Sequence, residues 1–84
     1  MSKGTTVTIY SAPWCAFCRM AKQYLDSKKI EYKEINVDED QEGARAMVAK
    51  TGQAGIPVLE IGEATIIGFD RPRIDSALEQ YNLV

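Results

Sequence analysis

Ala12-Pro13-Trp14-Cys15-Ala16-Phe17-Cys18 separates two stretches whose apolar residues repeat with different periods. Upstream, Thr5-Thr6-Val7-Thr8-Ile9-Tyr10 is rich in β-branched and aromatic residues and alternates at Val7 and Ile9, which predicts a strand. Downstream, Phe17, Met20, Ala21, Tyr24 and Leu25 recur at helical intervals, and Lys28 and Lys29 suit the negative end of that helix. The two cysteines, the only ones in the chain, therefore stand at a strand-to-helix junction. A helix starting near Cys15 points its unpaired N–H groups at the first sulfur and favours thiolate, the nucleophile of disulfide exchange, over thiol. Two intervening residues place Cys18 one turn inward, within reach of a mixed disulfide formed at Cys15. Cys15 as nucleophile and Cys18 as resolving thiol is the leading reading.

Composition narrows the alternatives. The chain has 84 residues, 45% hydrophobic and 26% charged, which fits a single domain over residues 1–84 with a small core. A net charge of −2 with interspersed signs gives no footprint for nucleic acid and no polybasic membrane patch. No apolar stretch approaches a membrane span, and Met1-Ser2-Lys3-Gly4 lacks the apolar segment of an export signal, so the expected location is the cytoplasm. A structural disulfide across two intervening residues would restrict little of the unfolded chain. A closed zinc site wants four ligands, and two cysteines with no histidine do not supply them, so no metal site is expected within one chain.

Further along, Glu31-Tyr32-Lys33-Glu34-Ile35-Asn36-Val37 alternates as a second strand. Asp38 followed three residues later by Gln41 reads as a capping box opening a helix through Ala44, Met47 and Val48, stopped near Gly52. Pro57 to Ile61, a turn at Gly62-Glu63, and Ala64 to Ile67 predict a hairpin. Asp70 is a natural N-cap for a last helix carrying Pro72, Ile74, Ala77, Leu78 and Tyr81. The order β-α-β-α-β-β-α makes an α/β fold: a parallel pair from the crossover, an antiparallel hairpin, and a four-stranded mixed sheet with three helices.

With these residues in place, the chain resembles the thioredoxin superfamily and, by length and element order, the glutaredoxins. The resemblance rests on Cys15-Ala16-Phe17-Cys18, Ile56-Pro57 and Gly68-Phe69-Asp70. It implies a redox-active disulfide and a thiol–disulfide oxidoreductase that reduces protein disulfides or glutathione mixed disulfides in electron transport and cell redox homeostasis. It also implies a cis bond at Pro57, with the Ile56 backbone pairing to an extended substrate or to glutathione; taken alone, Pro57 also suits the start of a strand. The implied groove takes in Trp14, Phe17, Ile56, Pro57, Gly68, Phe69 and Asp70. Trp14 and Phe17 could instead fill the core, and Asp70 could hold a glutathione amino group, cap a helix, or do both. Arg19 and Lys22 lie on the face of Cys15 as possible modulators of a thiol pKa, against a reading as a solvated basic face.

The partner signals are mixed. Glutathione-using glutaredoxins usually carry a cation where this chain has Ala12, and Gly-Gly where it has Gly68-Phe69, whose ring would crowd a glutathione backbone. Gly-Phe resembles the redoxins that serve ribonucleotide reductase and are recharged by thioredoxin reductase. The expectation is a monomer without a tightly bound cofactor, acting on disulfide-containing proteins, with glutathione a possible co-substrate or thioredoxin reductase as electron source. The alternative is a dimer bridging a glutathione-ligated 2Fe-2S cluster as carrier or sensor, which Ala16 leaves open by resemblance.

Overall fold

The computed structural model describes residues 5–83, and the Met1-Ser2-Lys3-Gly4 run lies outside them. The elements are β1 (Val7–Ser11), α1 (Ala16–Ser27), β2 (Lys33–Asn36), α2 (Gln41–Thr51), β3 (Val58–Ile61), β4 (Ala64–Ile67) and α3 (Arg71–Gln80). Their spatial order in the sheet is β2-β1-β3-β4. β1 pairs parallel with β2 and antiparallel with β3, and β3 pairs antiparallel with β4, giving the expected mixed sheet. None of the described helices is long and apolar enough to cross a membrane.

Alternation along β1 divides the core. Val7 and Ile9 face α1 and α3, where they meet Ala21, Leu25, Ile74, Ala77 and Leu78 together with Leu59, Ile61 and Ile66. Tyr10 faces the other way with Val58, against Met47 of α2. Period-two side chains thus give the central strand a buried environment on both faces. On the α2 side, Glu60 accepts the Tyr10 hydroxyl at 3.3 Å and pairs with Lys50 at 2.7 Å. Ile67 lies on the same sheet face but on edge strand β4 and stays exposed.

Several sequence expectations shift for reasons of pairing and packing. β1 starts at Val7 rather than Thr5, because Val7 meets Ile61, the last residue of β3, and it continues to Ser11, which pairs with Asn36. β2 is shorter than the alternation from Glu31 to Val37, since β1 offers it partners only from Thr8 to Ser11. The N-cap of α2 is Asp40, not Asp38: the Asp40 carboxylate accepts from the Gly43 N–H at 2.8 Å. Gly52 ends α2 in the left-handed conformation, as predicted. Of the apolar residues at helical intervals on α1, Phe17 and Met20 are exposed, while Ala21 and Leu25 face inward together with Cys18. Asp70 caps α3 as expected, with Pro72 in its first turn.

Leu59 is fully buried on the central hairpin strand, so Leu59→Ala is expected to destabilise the fold by about 2–5 kcal/mol. Asp40→Ala removes only a cap and should cost about 1 kcal/mol. Urea denaturation midpoints will check both size and order.

Candidate active site

The strand-to-helix junction follows directly from β1. After Ser11 the chain turns through Ala12, whose carbonyl accepts from the Cys15 N–H at 3.2 Å, and Cys15 takes the N-cap of α1 in extended geometry. In place of the usual hydroxyl or carboxylate, the Cys15 sulfur accepts from the Cys18 N–H, at 3.2 Å. One otherwise unpaired donor of the helix start is thereby spent on the first sulfur. The helix start predicted from periodicity and the N–H contact to the first sulfur inferred from that start are the same feature.

The two thiols are not equivalent. Both are free; Cys15 keeps 7% of its surface exposed and Cys18 none. Burial first, then the hydrogen bond with Cys15, pushes the Cys18 thiol up to about 12; the charge of Cys15 adds to the rise, while the Ala12 backbone N–H and the Lys22 charge oppose it. A substrate disulfide can reach only the Cys15 sulfur from outside. Cys18 lies on the protein side of the Cys15 sulfur.

Around the thiols, Trp14 is 68% exposed and Phe17 is 62% exposed, so neither fills the core. The Trp14 ring is nevertheless tethered: its Nε1–H donates to the Asp38 carboxylate at 2.7 Å. That contact explains what Asp38 does in place of capping α2. Arg19 is exposed and its guanidinium reaches only the Pro13 carbonyl, at 3.4 Å. Lys22 is half-buried and its charge is paired at the surface with an exposed Glu34 carboxylate. Its ammonium lies 2.8 Å from a Glu34 carboxylate oxygen that also accepts the Ser11 hydroxyl at 2.7 Å. Both donors hold Glu34 below the usual carboxylate range, and the Glu34 hydrogen bond raises Lys22.

The Ile56–Pro57 bond is cis, and Pro57 is buried. The Pro57 carbonyl accepts from the Gly68 N–H at 2.7 Å, which joins two of the sequence signatures. Gly68 has φ +86° in otherwise open space, so its role there is conformational freedom. Upstream of the proline, the Gln53 carboxamide brackets Gly55, accepting from its N–H at 2.6 Å and donating to its carbonyl at 3.2 Å. A Cβ on Gly55 would fall 2.6 Å from the Gln53 oxygen, so glycine permits the clasp. Phe69 is half-buried and directed at α1, edge-on to Tyr24 with ring centroids 5.9 Å apart. Asp70 serves its own helix, accepting from the Arg73 N–H at 3.3 Å and pairing with the Arg73 guanidinium at 3.5 Å.

Sequence reasoning missed Ser11, Glu34, Asp38 and Gln53. Glu34 sits 23 residues from Ser11, and Asp38 sits 24 from Trp14, so no local periodicity announces either contact. Gln53 left a faint local signal, a side-chain amide two residues before a glycine. Among the described residues, no group of three or more His, Cys, Asp or Glu side chains is placed to hold a metal ion.

A dithiol at a helix N-terminus beside a cis-proline loop, carried on this sheet, defines a thiol–disulfide oxidoreductase of the thioredoxin fold. Residues 7–66 match the family model described as Glutaredoxin, and the chain belongs to the glutaredoxin family. It is 36% identical over 74 residues to a glutaredoxin-like 8.6 kDa protein in the rubredoxin operon of Clostridium pasteurianum, covering 88% of this chain and 99% of that one. A glutaredoxin of Pseudomonas aeruginosa is 36% identical over 64 residues, 76% of each chain. Among solved structures, the glutaredoxin-like NrdH-redoxin from Escherichia coli, described as having a thioredoxin-like activity profile, superposes with a TM-score of 0.78 at 30% identity, covering 84% of this chain and 92% of that one.

Trp14 is the only tryptophan, so its fluorescence reports on the rim directly. Asp38→Ala should lower its steady-state anisotropy and increase quenching by acrylamide, at about 1 kcal/mol or less in stability. Asp40→Ala, two residues away, should leave both signals unchanged.

Proposed function

We propose that this protein is a dithiol reductant of protein disulfides that takes its electrons from a reductase of the thioredoxin-reductase type rather than from glutathione. The observation that carries the dithiol mechanism is the asymmetry of the pair: a slightly exposed Cys15 sulfur that accepts the Cys18 N–H, backed by a fully buried Cys18. Cys15 thiolate attacks one sulfur of the substrate disulfide, the substrate S–S bond breaks, and one substrate thiolate leaves. Cys18, on losing its proton, attacks the Cys15 sulfur, forms the Cys15–Cys18 bond and releases the second substrate thiolate. Two electrons and two protons from the reductase return the pair to dithiol.

The donor preference is supported by what the expected glutathione contacts do instead. Ala12 is buried and carries no charge, and the Asp70 carboxylate is engaged by Arg73 and the start of α3. Next to Cys15 in the chain the exposed Trp14 and Phe17 present two aromatic rings, which suit a protein segment as partner. The thioredoxin-like profile described for the E. coli NrdH-redoxin points the same way. For a glutathione-ligated 2Fe-2S cluster bridging two chains, Cys15 is the thiol with an exposed edge, but Ala12 supplies no cation to help retain the glutathione, which disfavours that reading.

Two coupled assays test the proposal, one with NADPH and thioredoxin reductase, the other with glutathione and glutathione reductase. Turnover of a protein disulfide is expected in the first, falling to background in Cys15→Ser and in Cys18→Ser, with the latter accumulating a mixed disulfide on Cys15. Turnover only with glutathione would overturn the donor assignment.

A further inference from the structure

The dithiol mechanism leaves one chemical problem. Cys18 must become a thiolate in the interior, where burial and the neighbouring Cys15 both disfavour charge. The groups that face it are therefore informative. On α1 these are Cys15 and, one turn further along the same face, Lys22. From the turn after β1 comes the Ala12 backbone N–H, next to the fully buried Ser11 that ends the strand. From β2 comes Glu34, on Lys22, and from just before that strand Tyr32, whose phenol is raised chiefly by burial and by Asp26. Arg19, the other cation near the motif, turns away to the Pro13 carbonyl.

Lys22 is thus the cation on the protein side of the pair, and it is held there. A free lysine on this helix would extend into water. Here one carboxylate oxygen of Glu34 takes both the Lys22 ammonium and the Ser11 hydroxyl, at 2.8 and 2.7 Å, and Ser11 is anchored in the central strand. We propose that Lys22, held by Glu34 and Ser11, stabilises the Cys18 thiolate as it attacks the mixed disulfide, and so sets the rate of the resolving step. This rests on the dithiol reading above. The proton lost by Cys18 ends on the departing substrate thiolate, so that one S–S bond is exchanged for another with no net oxidant. Lys22 touches none of the reacting sulfurs; it, Glu34 and Ser11 are positioning residues for Cys18.

Reaction of the reduced protein with dithiobis(nitrobenzoate) separates the two steps, because attack by Cys15 and closure by Cys18 each release one coloured thionitrobenzoate. The measurement is the second-phase rate, and its ratio to the first, across a pH series. Lys22→Gln, which keeps a polar contact to Glu34 but not the charge, should slow the second phase by roughly tenfold and displace its pH curve upward by about one unit. Lys22→Arg keeps the charge and should stay near the unsubstituted protein. A purely structural role for Lys22 would slow the second phase in Lys22→Gln and Lys22→Arg alike. If the Gln and Arg variants superpose, or the Gln curve is not displaced, the assignment to Lys22 is wrong while the dithiol mechanism stands. If the unsubstituted protein releases no second thionitrobenzoate, the dithiol mechanism itself falls.

Discussion

One backbone N–H, that of Cys18, points at one sulfur, that of Cys15, and the rest of the site is arranged so that this contact can exist. It requires a helix to begin at Ala16, with Cys15 as its cap. That in turn requires β1 to end at Ser11 and the chain to turn through Ala12. Because β1 is buried on both faces and paired on both edges, the junction rises from the most constrained strand of the sheet. A helix start on a mobile loop would give the sulfur the same donors without fixing where the sulfur is.

The same constraint orders the neighbourhood. β3 pairs with β1 on the side away from β2, and this brings the cis-proline loop and Gly68 together at one end of the sheet, joined by the Pro57 carbonyl. Around that end, two tethers come from the segment on the other side of β1: Glu34 takes Lys22 and Ser11, and Asp38 takes the Trp14 indole. Exposed aromatic rings stand on one part of this surface and a partly exposed ion pair on another. An arrangement of this kind gives the two thiols different surroundings although they are three residues apart. Cys15 keeps an exposed edge, and Cys18 is closed off inside the protein.

Much of this was legible in the chain. The element order follows from the change between period-two and helical repeats, and the caps Gly52 and Asp70 were visible as residue types that suit left-handed and N-cap positions. The dithiol and its two family companions were visible as short motifs. Less legible were element edges: Thr5, Thr6 and Glu31 have strand-like neighbours yet no partner strand beside them. Asp38 and Asp40 offer the same carboxylate two residues apart, and the choice of cap depended on where α2 meets the sheet. The exposure of Phe17 and Met20 on α1 was not legible, because an amphipathic count does not say which apolar residues the fold leaves at its surface.

By itself the sequence determined the local terms: which segments extend, which coil, where a cysteine meets a helix start, and that the companion motifs belong to a disulfide-exchange family. Those follow from backbone sterics, side-chain period and motif spacing, which act within a few residues. Only the tertiary structure decided that Cys18 is buried while Cys15 keeps an exposed edge, that Lys22 is held on Glu34, that Trp14 is tethered to Asp38, and that Asp70 is engaged by its own helix. Burial and most of these tethers depend on contacts between distant segments. Even the local Asp70–Arg73 pair depends on how the exposed side chains settle, which a residue pattern leaves open.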